Sequence, residues 1–320
     1  MDKILVVEDL KTYFFTRYGV AKAVDGVSFH LRQGESLGMV GESGCGKTMT
    51  ALSMLRLVPQ PAGRTVGGRI LLEGEDILTK SEREMRSIRG KKITMIPQDP
   101  MTSLNPAYSI WSQLSEVIRL HQKLGGKVLR EKAAEMLRLV RIPSPKERLK
   151  SFPHQMSGGM RQRVAGSLAL SCQPKVLIAD EPTTALDVTI QAQFLTLLRT
   201  LRYELGLSLI FVTHDLGIVQ AMCDRVVVMY AGKIVEEAPV DELFATPRHP
   251  YTAALIKSVP KVEEKVDRLA AIGDQPPSLY DLPPGCSFFP RCPVGNEKCH
   301  EVPPMVKLAE EHLVRCWQCC

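Results

Sequence analysis

Gly41-Glu42-Ser43-Gly44-Cys45-Gly46-Lys47-Thr48 is the stretch on which the fold turns. It follows an apolar run, Leu37–Val40, and precedes a helix-compatible one, Met49–Leu57. Strand, glycine-rich loop and helix in that order make a phosphate-binding loop: the glycines let backbone N–H groups converge on phosphate oxygens, and the helix N-terminus adds a favourable dipole. Such a loop is expected to bind the phosphates of a nucleotide such as ATP. Lys47 sets a charge against the outer phosphates, the Thr48 hydroxyl ligates Mg²⁺, and Gly41, Ser43, Gly44, Cys45, Gly46 and Met49 complete the cradle. A glycine turn that binds nothing is the plain alternative, and the flanking elements argue against it.

Working outward, strand-like runs at Ile4–Val7, Ser36–Val40, Ile70–Leu72, Ile93–Ile96, Val176–Ala179, Leu209–Val212 and Val226–Met229 alternate with longer amphipathic stretches, the pattern of an α/β fold with a buried sheet. The run Val176–Ala179 ends in Asp180-Glu181, so two carboxylates stand at a strand end, where α/β folds gather their ligands. Asp180 suits Mg²⁺ and Glu181 suits polarising an attacking water. Between about Pro97 and Ala165 the periodicity becomes helical, as in Val128–Val140 with Leu129, Met136, Leu137 and Val140 on one side. From Pro239 onward lie more than half of the 22 prolines and six of the nine cysteines, which marks a loop-rich C-terminal module.

Composition narrows the class. With 44% hydrophobic and 24% charged residues the 320-residue chain is an ordinary globular protein, and no apolar run is long enough for a signal peptide or a membrane span. The expected location is the cytosol. The net charge of +6 comes from 41 basic and 35 acidic residues interspersed along the chain, which reads as a mixed solvated surface, with no nucleic acid expected as a partner. Nine cysteines in a reducing compartment argue against a disulfide framework.

Met156-Ser157-Gly158-Gly159-Met160-Arg161-Gln162-Arg163 resembles the signature motif of the ABC ATPases, with Met160 where glutamine is commonest and Met156 where leucine is. Four further matches follow in the family's order: Gln98 after Ile93–Ile96 as Q-loop, Thr184-Ala185-Leu186-Asp187 as D-loop, His214 after Leu209–Thr213 as H-loop, and Tyr13 as the aromatic of the A-loop. The resemblance runs from Ile4 to about Pro239. It implies a RecA-like core with an antiparallel β subdomain (1–97 and 166–238), a helical signature subdomain (98–165) and a small loop-rich C-terminal extension (239–320). It also implies a dimer in which Ser157, Gly158, Gly159 and Asp187 reach the partner's ATP. Glu181, His214, Lys47 and Gln98 are then the catalytic set, Tyr13 stacks on the base, and Mg²⁺ is held through Thr48, Gln98 and Asp180.

Gln98-Asp99-Pro100-Met101-Thr102-Ser103-Leu104-Asn105-Pro106 and Phe244-Ala245-Thr246-Pro247-Arg248-His249-Pro250-Tyr251-Thr252-Ala253-Ala254-Leu255 resemble the oligopeptide and dipeptide importer subfamily, whose extension nickel and some sugar importers share. That likeness implies a second, non-identical ATPase subunit, two transmembrane permease subunits, a solute receptor, and a place on the cytoplasmic face of the membrane. The prolines there, with Leu104 and Tyr108 between polar residues, suggest a surface groove for a permease helix. A soluble ABC ATPase acting on nucleic acid or in signalling is the reading from another class. Cys286, Cys292, Cys299 and Cys316 are not spaced as the paired C-x2-C ligands of common zinc modules, Cys316 and Cys319 being the one close pair, and Cys320 follows. The first four resemble the [4Fe–4S] pattern of peptide-importer ATPases, with Zn²⁺ the alternative.

Overall fold

The structure, a computed structural model, describes residues 2–99, 103–184, 186–258, 272–273 and 275–320. Its strands are β1 (Lys3–Thr16), β2 (Gly19–Arg32), β3 (Ser36–Val40), β4 (Gly63–Leu72), β5 (Glu75–Asp76), β6 (Ile93–Ile96), β7 (Val176–Asp180), β8 (Ser208–Thr213), β9 (Arg225–Tyr230), β10 (Lys233–Pro239), β11 (Val306–Lys307) and β12 (Leu313–Val314). The helices are α1 (Lys47–Met54), α2 (Glu82–Ile88), α3 (Ile110–Gln122), α4 (Gly126–Leu139), α5 (Pro145–Arg148), α6 (Gly158–Leu170), α7 (Val188–Leu205), α8 (Leu216–Met222), α9 (Val240–Ala245) and α10 (Pro250–Ser258). The chain forms two compact units: residues 1–2, 32–35 and 79–210, and residues 3–31, 36–78 and 211–320. It passes from the first to the second within β8.

The loop-bearing unit contains an antiparallel sheet in the order β2-β1-β4-β5 and the strand run β11-β12-β10-β9-β3. All five residues of β3 are buried, and β3 runs parallel to β9. A short apolar strand buried on both faces is what a parallel sheet requires. A register shift after Glu8, where Asp9 adopts φ +47°, interrupts the pairing of β1 with β4. Before it Leu5 and Val7 are buried; after it Leu10 and Thr12 are, so the alternation of faces changes phase by one residue.

The C-terminal module belongs to this unit and is fastened by buried polar groups. His312 bridges Glu236 of β10 (2.8 Å) and Glu242 of α9 (2.7 Å), and Glu236 also accepts from the backbone N–H groups of Arg248 (2.7 Å) and His249 (2.9 Å). Arg225 and Glu237 form a buried ion pair between β9 and β10. A core of Val228, Tyr230, Val240, Leu243, Tyr251 and Phe288 joins the module to the strands.

The other unit pairs β6 with β7 in parallel, with β8 beside β7, and carries α2 to α7. Its helices start where the sequence supplies caps. Ser81 and Glu84 form a capping box on α2, and Ser109, Ser157 and Asp187 accept from backbone N–H groups at the starts of α3, α6 and α7. Among the described residues no helix is long and apolar enough to cross a membrane.

Candidate nucleotide site

The phosphate loop occupies the turn between β3 and α1. Gly46 caps α1 at φ +108°, and a Cβ there would lie 2.2 Å from the carbonyl oxygen of Ala23. Only glycine satisfies both the conformation and that contact. Lys47 is buried, and its Nζ donates to the carbonyls of Gly41 (2.7 Å) and Glu42 (3.1 Å), drawing the loop around the ammonium group. Burial pushes the Cys45 thiol up, against the pull of Lys47. Cys45 therefore behaves as a small apolar filler of the loop.

A mostly apolar cavity of about 470 Å³ opens beside the loop. Glu42 to Cys45 and Met49 form one side, Phe14 and Ala23 another. Tyr13, expected to stack on the base, does not line it. The phase shift in β1 explains this: Phe14 shares the face of Thr12, whose hydroxyl meets Ser53 of α1 at 2.7 Å, while Tyr13 points to the other side and donates to Asp25 at 2.6 Å. Burial and the Asp25 hydrogen bond raise the Tyr13 hydroxyl well above its usual range. Burial works against charge on Asp25, but hydrogen bonds from Lys233 and Tyr13 outweigh it and hold its carboxyl low.

Long-range neighbours brace the loop. The backbone N–H of Glu42 donates to the Tyr251 hydroxyl at 2.8 Å. Arg291 clasps the Glu42 carboxylate with both terminal nitrogens, at 2.7 and 2.9 Å. Its guanidinium also reaches the Tyr230 hydroxyl (3.2 Å) and the carbonyls of Gly273 (2.7 Å) and Ile272 (3.4 Å). Hydrogen bonding to Glu42 raises the already basic Arg291 further. Neither Arg291 nor Tyr251 is legible as a site residue in the sequence, because 249 and 209 positions separate them from Glu42.

In the other unit Asp180 is buried at the end of β7 and Glu181 follows in the left-handed region, at φ +41°. A non-glycine residue there is strained, a feature that recurs where a side chain must be aimed. The Glu181 carboxylate accepts from Gln98 Nε2 (2.8 Å) and the Thr184 hydroxyl (3.1 Å). The structure thus unites the expected Q-loop residue with the expected base. Gln162 of α6 donates to the Pro182 carbonyl at 2.5 Å, tying the signature helix to the same turn. Ser157 accepts from Met160 N (3.3 Å), and a Cβ on Gly159 would lie 2.5 Å from Ile190, so the glycine admits close packing of α7. Asp187 caps α7 through Ile190 N at 2.9 Å. His214, which belongs to the loop-bearing unit, is exposed just beyond β8.

Two expectations are qualified. Leu104 is only 1% exposed, so it anchors the segment inward, while Tyr108, 55% exposed, remains on the surface. Among the described residues, therefore, Leu104 does not line the surface groove expected of both. Pro100, Met101 and Thr102 of that segment, and Ala185 of the D-loop, lie outside the described residues.

In the C-terminal module no cysteine is paired in a disulfide. Backbone N–H groups approach the sulfur of Cys286 from Phe288 and Phe289, that of Cys292 from Val294, and that of Cys316 from Gln318. Burial nonetheless raises all three thiols, Cys316 to about 12. Among the described residues no three His, Cys, Asp or Glu side chains are grouped to hold a metal ion, so the thiols are not gathered into the expected metal site.

Comparison with known proteins agrees with this geometry. Residues 24–184 match the family model described as ABC transporter, and residues 235–299 match that described as oligopeptide/dipeptide transporter, C-terminal region. A probable peptide ABC transporter ATP-binding protein of Sinorhizobium fredii is 50% identical over 99% of this chain and 95% of its own length. The oligopeptide transport ATP-binding protein OppD of Bacillus subtilis is 48% identical over 98% of this chain and 88% of its own. Among solved structures, cbiO1 of Clostridium perfringens, part of an ABC transporter complex, superposes with a TM-score of 0.65 at 29% identity, covering 77% of this chain and 92% of that one.

Proposed function

Because the chain belongs to the ABC transporter family of ATP-binding subunits, in its oligopeptide and dipeptide importer branch, we propose that it is the ATPase motor of a peptide importer. The match of residues 235–299 to the C-terminal region of peptide transporters carries the solute class, since the phosphate loop is common to ATPases of many purposes. The implied partners are two permease subunits and a solute receptor, with this subunit peripheral on the cytoplasmic face; the second ATPase subunit we assign to a non-identical chain.

Each motif residue takes a role by its chemistry. Lys47 and the loop amides hold the phosphates. Thr48, Asp180 and the amide oxygen of Gln98 are the hard oxygen donors suited to Mg²⁺, which shields charge on the phosphates when bound. Glu181, aimed by Gln98 and Thr184, orients water for in-line attack and takes its proton. Lys47 and His214 meet the charge that develops on the γ-phosphoryl group. Ser157, Gly158 and Gly159 donate to the partner subunit's nucleotide, with Asp187 at the same seam. Phe14 replaces Tyr13 as the base-stacking residue, on the strength of its place in the cavity. Closure on ATP and reopening after hydrolysis then drive the permease between its two states.

For Cys286, Cys292, Cys299 and Cys316 we propose a structural [4Fe–4S] cluster, and no step of hydrolysis passes through it. The resemblance of their spacing to that of peptide-importer ATPases supports it; backbone N–H groups approach three of the sulfurs, although burial outweighs them. Iron and sulfide analysis of anaerobically purified chain tests it: about four of each, lost in Cys292→Ser, is the expected result. Stoichiometric zinc, or neither metal, refutes it.

Reconstitution with the permease subunits and receptor tests the motor. Phosphate release should rise on adding peptides and collapse in Glu181→Gln, which still binds ATP. Stimulation by nickel and not by peptides would transfer the motor to another solute.

A further inference from the structure

We propose that Pro276–Tyr280, in the C-terminal module, forms one wall of the nucleotide cavity and grips the base of ATP. The inference rests on the ATP-binding reading above and adds a contact that none of the nucleotide motifs contains.

The cavity of about 470 Å³ is in the range of small-ligand sites. Its third side, beyond the phosphate loop and the Phe14 face, consists of Pro276 to Tyr280. The polar end is the loop, with its N–H groups; the rest is mostly apolar and includes Phe14, Ala21, Ala23, Pro277, Leu279 and Tyr280. That division suits a nucleotide, charged at one end and a flat apolar-faced ring at the other. Bases stack on such side chains with little demand on hydrogen bonding.

Separate contacts fix the wall to the rest of its unit. The Leu279 carbonyl accepts from the backbone N–H of Lys22 at 3.2 Å, and the Thr16 hydroxyl donates to that of Tyr280 at 3.4 Å. Upstream, Arg291 holds the carbonyls of Gly273 and Ile272 with the same guanidinium that clasps Glu42. Arg291 is therefore a positioning residue that sets the phosphate end and the base end of the cavity from one point. It directly precedes Cys292, so the fold of the cysteine module reaches the nucleotide through two adjacent residues.

Calorimetric titration of the full chain with ATP and, separately, with inorganic tripolyphosphate tests the wall, comparing the native protein with Leu279→Ala/Tyr280→Ala. The expected result is an ATP affinity lowered about tenfold with tripolyphosphate affinity unchanged, since only the base loses its partner. Unchanged ATP affinity, or an equal loss for both ligands, overturns the proposal. Native protein that binds neither ligand overturns the ATP reading itself and this inference with it. Tyr280→Ala alone, a change at a ring that is 46% exposed, keeps the test open if the double variant does not fold.

Discussion

The phosphate loop and the Asp180-Glu181 turn are held in opposite ways. The turn is self-sufficient: Glu181 is aimed by Thr184, three positions on, and by Gln98 at the end of the neighbouring strand β6, and Gln162 secures Pro182 from the signature helix. All of these belong to the motifs themselves. The loop instead takes its outer bracing from Tyr251 and Arg291, far along the chain and outside any nucleotide motif. A reactive side chain that must be placed to a fraction of an ångström is best fixed by nearby rigid elements, whereas a loop braced from a distance can report on the module that braces it.

The comparison breaks first at Glu181. Glu181→Gln should lower phosphate release by about 10²–10³ and leave ATP affinity within about twofold, because the carboxylate acts on water and not on the nucleotide; phosphate-release kinetics beside calorimetry check both halves. A loss of binding instead would make the turn part of the loop's machinery.

Acid should strike the braced side. His249 is buried, its Nδ1 accepts from Tyr251 N at 3.0 Å, and its Nε2 has no hydrogen-bond partner among the described residues. Burial lowers its pKa from 6.5 to about 4. The unfolded chain therefore binds a proton that the folded chain refuses between those values, and stability falls as pH drops from 6.5 to 4, by up to about 3 kcal/mol. Urea midpoints should show that loss in the native chain and a smaller one in His249→Phe. Equal pH slopes would refute the assignment.

Arg291→Met should destabilise the protein by about 2 kcal/mol, less than for a fully buried pair because Glu42 keeps some solvent. The smallest effects sharpen the two faces of β1. Phe14→Ala should weaken ATP about tenfold. Tyr13→Phe should cost about 1 kcal/mol of stability, the worth of one hydrogen bond to Asp25, with ATP affinity unmoved. The reverse pattern would restore Tyr13 to the base.

Those residues also mark what was legible in the sequence. The strand runs Ser36–Val40, Ile93–Ile96 and Val176–Ala179 fall within β3, β6 and β7, because runs this short and mostly apolar, bounded by turn residues, suit strands buried on both faces. Gln98 and Glu181 meet because each follows the end of a strand and β6 pairs with β7. The face of the sheet on which Tyr13 lies was not legible, because a β-bulge inserts one residue into a period of two and leaves no mark beyond Asp9. Leu104 was misread because the burial of a single leucine among prolines depends on tertiary packing that no local pattern records. Arg291 was invisible for a plainer reason: an arginine in a loop is ordinary until its partner is known.

The bracing of the phosphate loop by the C-terminal module is tested most directly by a double-mutant cycle, Glu42→Gln and Arg291→Met singly and together, read as unfolding free energy. The pair should show a coupling of about 2 kcal/mol, the double variant being little worse than either single one. Losses that simply add would contradict the account and leave Arg291 as packing alone.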